Sequence, residues 1–292
     1  MNSDVAIVGS GPAGLSAAIY STRAGFRTTV YSGDTRGGLV TTTEKVDNYL
    51  GMPGMDGIAM AEAFLAHAES IGAKLVSASV ERVEREPSGE FLLRLSNGEE
   101  KRYGAVIFAA GSEPRKLGVP GEELPGVSWC ATCDGAFSAG EPVVVVGGGE
   151  TAVEDATYLA NIASSVTLLV RGDDFRATRP AVENLLKREN VSVRYNSSIA
   201  EIHGDGGVER VSLAEGGEID CFSVFEAIGQ VPQSQVAEGH VVLYENGFIE
   251  ESSVEGFFVA GDVRNPEHRQ IAVAVGDGAK SAMEAIKFLQ SR

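Results

Sequence analysis

Cysteine is scarce in this chain: Cys130, Cys133 and Cys221 are the only three among 292 residues. Three cysteines cannot staple a small disulfide scaffold, and an odd number argues against a secreted protein, so a cytoplasmic location is expected. Basic residues are also short, 24 against 41 acidic ones, which leaves a formal charge of −17. A field of that sign repels phosphate backbones and anionic lipid, so no nucleic-acid and no membrane partner is expected. Long hydrophobic runs are missing too. The stretch from Val5 to Thr22 has no charge, but Gly9, Gly11, Pro12 and Gly14 interrupt it, Asp4 precedes it, and no basic leader stands before it. It reads as a buried strand and helix, neither a signal peptide nor a membrane span. Histidine is limited to His67, His203, His240 and His268, which are scattered, and no metal site is expected.

Glycine, by contrast, is abundant, at 36 of 292 residues. That is about 12%, against an ordinary share of roughly 7%. No Gly-X-Y period accompanies it, so the glycines serve turns and close backbone approaches.

The chain carries an internal duplication. Val5–Asp34 (VAIVGSGPAGLSAAIYSTRAGFRTTVYSGD) superimposes without gaps on Val143–Gly172 (VVVVGGGETAVEDATYLANIASSVTLLVRG), with Gly9 on Gly147, Gly11 on Gly149 and Gly14 on Ala152. Each copy opens with a short β-branched run and a glycine turn. A stretch with helical spacing follows, then a second apolar run (28–31; 166–170). This is a βαβ unit used twice. A three-stranded meander is expected after each. The first takes SVERVER, EFLLRLSNGEE with an Asn97-Gly98 turn, and YGAVIFAAG; the second takes IAEIHGD, VERVSLAEGGE and FSVFEAIG. Cys221 is expected in a strand, packed in the core. A helix is predicted over 57–71 with Ile58, Ala61, Phe64, Leu65, Ala68 and Ile71 on its apolar face. A strand is predicted over 256–260 and a last helix from about 278 to 289. Proline-bearing segments 112–116 and 229–233 join the halves. The expected fold is therefore α/β, with two Rossmann-like dinucleotide-binding domains, each a βαβ core plus a β-meander, the second inserted into the first.

A dinucleotide pyrophosphate needs bare backbone N–H groups at a helix N-terminus, and glycines that let it approach. Gly9-x-Gly11-x-x-Gly14 and Gly147-x-Gly149-x-x-Ala152 each follow a strand and open a helix, which is the context the motif requires. The acidic residue that usually binds the ribose is not clean: Ser32 holds its place and Asp34 lies two residues on. In the second copy Arg171 and Arg176 follow the strand, and a guanidinium there suits a 2′-phosphate, hence NADPH. The plainer alternative leaves both arginines facing solvent.

Cys130-Ala131-Thr132-Cys133 precedes the second copy by ten residues, and Asp134 follows at once. Zinc needs four ligands and no second pair exists. An inert thiol pair is one reading. The other is a redox disulfide with a neighbouring carboxyl able to move a proton. Two dinucleotide folds with a dithiol between them would pass electrons from a nicotinamide, by way of a flavin, to sulfur.

These residues resemble the low-molecular-weight thioredoxin reductases of the pyridine nucleotide–disulfide oxidoreductase superfamily. The likeness runs nearly end to end through GSGPAGLSAA (9–18), GGLVTTT (37–43) with Asn48, WCATCDG (129–135), GGGETAVEDATYLANIAS (147–164) and GFFVAGDVRNPEHRQIAVAVGDGA (256–279). The resemblance implies an FAD-binding domain of residues 1–113 and 232–292 and an NADPH-binding domain of residues 114–231 carrying the redox pair. It implies FAD contacts at Gly9, Gly11, Pro12, Ala13, Gly14, Gly37, Gly38, Leu39, Asn48, Gly111, Gly261, Asp262, Arg269, Gln270, Ile271 and Ala272. NADPH contacts are implied at Gly147, Gly149, Glu150, Thr151, Ala152, Arg171 and Arg176. Cys133 would be the flavin-side sulfur, Cys130 the one that attacks the partner, and Asp134 the acid. Thioredoxin or a thioredoxin-like protein would be the partner, and the assembly a homodimer.

The sequence departs from the family at four places. Val170-Arg171-Gly172 with Arg176 has one arginine fewer than the family's 2′-phosphate stretch, Ala136-Phe137 replaces a pair of aromatics, Leu39 replaces a glutamine, and the segment before 256 is short. Three readings therefore stand beside the NADPH-dependent reductase: a reductase fed by ferredoxin or a deazaflavin, a flavin-dependent dithiol oxidase, and a non-enzymatic redox-sensitive binding module.

Overall fold

An apolar run without polar alternation can be buried on both faces, and Val5–Val8 is buried at all its positions. In the computed structural model, which describes residues 4–33, 35–43, 45–264 and 268–292, this strand is the centre of a five-stranded parallel sheet. The sheet order is Phe257–Val259, Ala105–Phe108, Val5–Val8, Thr28–Tyr31, Lys74–Val76. Side chains of a strand alternate between faces. Val5 and Ile7 accordingly join a core with the helices Pro12–Arg23 and Ile271–Gln290. Ala6 and Val8 join a second core with Val80, Phe91 and Leu93 from an antiparallel meander, Val80–Arg85, Phe91–Leu95 and Glu100–Tyr103. Three layers result, helices, parallel sheet and meander.

The chain divides into two units, residues 1–113 with 231–292, and residues 114–230. The second repeats the plan of the first. Its parallel sheet runs Val191–Tyr195, Ser165–Val170, Pro142–Val146, Ser223–Glu226, Val127–Ser128. Val143 and Val145 pack on the helix Glu150–Leu159, while Val144 and Val146 pack on the meander Ile199–His203, Arg210–Leu213, Glu218–Asp220. The duplicated α/β architecture expected from the sequence is what the fold shows.

Four local expectations are corrected. The last strand of each meander is Glu100–Tyr103 and Glu218–Asp220, whereas Ala105–Phe108 and Ser223–Glu226 leave it and pair in parallel with the strand that opens each βαβ unit. Their uninterrupted apolar character suits a central strand buried on both faces. The last helix begins at Ile271, ahead of Gly276 and Gly278. Gly278 does not start the helix; it admits a neighbour, since a Cβ on it would stand 2.0 Å from the Ala13 carbonyl oxygen. The helix Gly57–Ser70, capped by Asp56 on the Ala59 N–H, buries Met60 and leaves Ile58 54% exposed. Cys221 lies between two strands, buried, with Phe222 exposed. Among the described residues no helix is long and apolar enough to cross a membrane.

Candidate functional site

In the first unit the glycine turn forms where backbone meets backbone. Gly9 has φ of +107°, and a Cβ there would lie 2.2 Å from the Ala109 carbonyl oxygen; a Cβ on Gly14 would lie 1.9 Å from the oxygen of Gly9. Gly11 caps the helix Pro12–Arg23, which has no side-chain cap and no acidic residue in its first turn. Its leading N–H groups are therefore left for an anion. Gly38 comes up to Gly11, with room for no side chain (a Cβ would be 2.8 Å from the Gly11 Cα), and the Gly37 N–H donates to Ser10 Oγ at 3.1 Å. Leu39 follows on the 3₁₀ turn Gly38–Thr42, 41% exposed.

Distant segments converge on the same turn. Gly261 faces Ala13, with a hypothetical Cβ 2.8 Å from that side chain. Asp262 is half-buried beside it; burial pushes its carboxyl up to about 6, Arg269 pulls it back, and Asp277 adds to the rise. Gln270 caps the helix Ile271–Gln290 and accepts a hydrogen bond from Asn48 Nδ2 at 3.0 Å. Ile271 packs with Val40, Val46 and Met60, and Ala272 stands next to it in the first helical turn. Gly111 follows Ala109 and Ala110, which border Gly9, and its carbonyl accepts from the Gln233 N–H. Asp34 lies outside the described residues. The residue set expected to hold FAD is thus assembled from six separated stretches, and its glycine cradle and uncapped helix end fit a pyrophosphate.

The second unit repeats the cradle with differences. A Cβ on Gly147 would stand 2.5 Å from the Ala227 oxygen and 2.8 Å from the Ala152 Cβ, whereas nothing lies within 4 Å of one on Gly149. Gly149 caps Glu150–Leu159 without a side-chain bond. Glu150 turns toward the following loop, accepting from the Thr178 N–H at 2.9 Å and its hydroxyl at 3.0 Å, and Thr151 is exposed on the first turn. The Arg176 N–H donates to the Gly148 carbonyl at 2.7 Å, which ties that loop to the cradle. Arg171 and Arg176 are both exposed, and no ion pair among the described residues engages either.

Cys130 and Cys133 form a disulfide with Cα atoms 5.3 Å apart, at the start of the short helix Ala131–Asp134. That helix packs against Glu150–Leu159, the helix the second glycine turn opens: a Cβ on Gly135 would lie 2.9 Å from Leu159 Cδ2. Asp134 Oδ2 accepts a 2.6 Å hydrogen bond from Ser128 Oγ, which in turn accepts from the Cys130 N–H at 3.1 Å. Ser128 was not legible as a site residue, because only the fold shows that its hydroxyl serves both Asp134 and Cys130. Ser10 escaped notice for the same reason, its role being set by a contact 27 residues away. Among the described residues no cluster could hold a metal.

Comparison with known proteins places this arrangement. Residues 3–278 match the pyridine nucleotide-disulphide oxidoreductase family. The thioredoxin reductase of Bacillus subtilis (strain 168) is 38% identical over 98% of this chain and 95% of its own. A Pseudomonas fluorescens protein named glucosaminate ammonia-lyase is likewise 38% identical, over 99% of this chain and 96% of its own. The solved thioredoxin reductase from Giardia duodenalis superimposes with a TM-score of 0.93 at 35% identity, covering 98% of both chains.

Proposed function

The chain belongs to the pyridine nucleotide-disulphide oxidoreductase family, and from that premise we propose that it is an FAD-dependent thioredoxin reductase that draws its electrons from NADPH. The observation that carries this reading is the Cys130–Cys133 disulfide, at the start of a short helix that packs against the helix the second glycine turn opens, with a carboxyl held at its edge.

Gly9, Gly11 and Gly14 would hold the FAD pyrophosphate, with Gly38 closing the cradle and Asp262 and the Arg269–Ala272 stretch meeting the flavin half. Gly147, Gly149 and Ala152 would hold NADPH, with Arg171 and Arg176 on its 2′-phosphate. Bound in the first cradle, FAD supplies a ring that takes a hydride from NADPH and returns the electron pair to a disulfide. The chain's own sulfur chemistry follows. Opening the Cys130–Cys133 bond with two electrons and one proton gives one thiolate and one thiol, and Asp134, oriented by Ser128, would supply that proton to the departing sulfur and take it back before the partner is attacked. The Cys130 thiolate then attacks one sulfur of the partner's disulfide, forming a mixed disulfide and expelling the partner's other thiolate. Cys133 attacks Cys130, reforming the internal bond and releasing the reduced partner. A homodimer working in the cytoplasm completes the proposal.

The test is NADPH oxidation under anaerobic conditions with and without oxidised thioredoxin. Turnover that requires thioredoxin, and that falls at least about 10³-fold in Cys130→Ser and in Cys133→Ser, supports the reading. Peroxide formation from small dithiols without NADPH would instead identify a dithiol oxidase. Because one relative is named an ammonia-lyase, glucosaminate is the control substrate, and no ammonia is expected from it.

A further inference from the structure

Glu226 ends the strand Ser223–Glu226, paired in register with Val146, and is only 2% exposed. The electron path just described uses no carboxyl there. A buried carboxyl is costly unless its oxygens are satisfied. Its Oε2 accepts from the Trp129 indole N–H at 2.9 Å and from the Leu117 N–H at 3.3 Å. Its Oε1 is buried and meets no donor.

A second carboxyl, that of Glu122, lies beside it and accepts from the same Leu117 N–H. Glu122 Oε1 accepts from the Leu117 N–H at 2.5 Å, and both its oxygens accept from the Gly118 N–H at 3.2 Å. Two ionised carboxylates offer only acceptors to one another. A single proton shared by the pair removes the repulsion. The flanking strands bring no charge, only Val146 opposite Glu226 and Ser128 opposite the preceding Phe225. The nearby cation, Lys116, lies over the indole, its Nζ 5.3 Å from the ring centre. Trp129 is the residue immediately before Cys130.

We propose that Glu226 is a positioning residue for the redox pair: with Glu122 it forms a one-proton clamp on the Trp129 indole, and so holds the backbone that enters Cys130. The inference rests on the reading of Cys130 and Cys133 as the redox centre. When the carboxyl pair loses its proton, two like charges share a buried site, and the ionised Glu226 accepts more strongly from the indole N–H. Burial first, and then the Glu122 carboxyl, raise Glu226 to about 7, against the indole and Leu117 N–H groups that favour the ion. The grip on the indole therefore tightens as pH rises through neutrality.

Trp129 is the only tryptophan in the chain, so its fluorescence reports the clamp directly. In the holoenzyme, emission is expected to shift to the red with a midpoint near 7 as pH rises. Glu226→Gln keeps an acceptor for the indole and cannot titrate, so its emission should stay constant with pH. Glu122→Gln gives Glu226 an amide donor and should move the midpoint to lower pH. The ratio of Glu226→Gln kcat to wild-type kcat should fall through the same interval, with KM for thioredoxin unmoved. Wild-type emission that ignores pH, a Glu226→Gln variant that still titrates, or a kcat ratio independent of pH each overturns the proposal. Should Cys130→Ser retain full turnover, the electron path fails instead, while the fluorescence titration still reads the clamp.

Discussion

Asp262 shows at a single residue how a site built for a ligand costs the bare protein stability. Burial raises its carboxyl from 3.8 to about 6. The folded chain therefore holds a proton that the unfolded chain has lost, and stability of the flavin-free protein falls as pH rises from about 4 to about 6, then levels. Asp262→Asn should abolish that decline, read by thermal unfolding across the interval, while weakening FAD retention. Arg171 tests the other cofactor. A charge-assisted hydrogen bond contributes about 1.5–3 kcal/mol, so Arg171→Ala should raise KM for NADPH by roughly 10- to 100-fold and leave KM for NADH unmoved. Equal effects on both would return Arg171 to solvent. Single residues were legible in the sequence wherever chemistry is local, as in Cys130, Cys133 and the glycine turns. Glu226 was not: its partner Trp129 is 97 residues away, and within FSVFEAIG it reads as one charged residue in a largely apolar strand.

Among the elements, the helices and strands that open each βαβ unit were readable because their signals are continuous: a β-branched run, a glycine turn, then helical spacing. Thr28–Tyr31 follows the predicted limits, and Ser165–Val170 begins one residue before them. What failed was telling a meander strand from a central parallel one. Ala105–Phe108 directly follows Glu100–Tyr103 in the chain, and only its burial on both faces assigns it to the other sheet. Glycine misled at the last helix, since a helix breaker and a close-packing residue look alike in sequence. The packing role makes a prediction. The hypothetical Cβ atoms of Gly14 and Gly278 fall 1.9 and 2.0 Å from carbonyl oxygens, distances that force backbone to move. Gly14→Val and Gly278→Val should each lower stability by at least about 1–3 kcal/mol in urea unfolding. Gly149→Ala, which meets nothing within 4 Å, should leave stability nearly unchanged in the same assay.

At the scale of the whole molecule, the duplication has unequal consequences. Residues 114–230 form one continuous unit with its own two cores, whereas the other unit needs both ends of the chain. The continuous unit, produced alone, should unfold cooperatively on heating and keep its disulfide; a non-cooperative melt would show that it depends on the rest. The fold and the two cradles were visible from internal repetition, but the convergence of 37–39, Asn48, 109–111, Gly261 and Gln270 on the first turn came only from the folded chain. The central claim is that electrons entering at a nicotinamide leave through the sulfur pair. Anaerobic addition of NADPH to the yellow holoprotein, followed by thiol labelling and peptide mass analysis, tests it most directly. The flavin should bleach and both Cys130 and Cys133 should take label. Cys221, buried and with its thiol pushed up to about 12, should not. A flavin that bleaches while the disulfide stays closed would contradict the account.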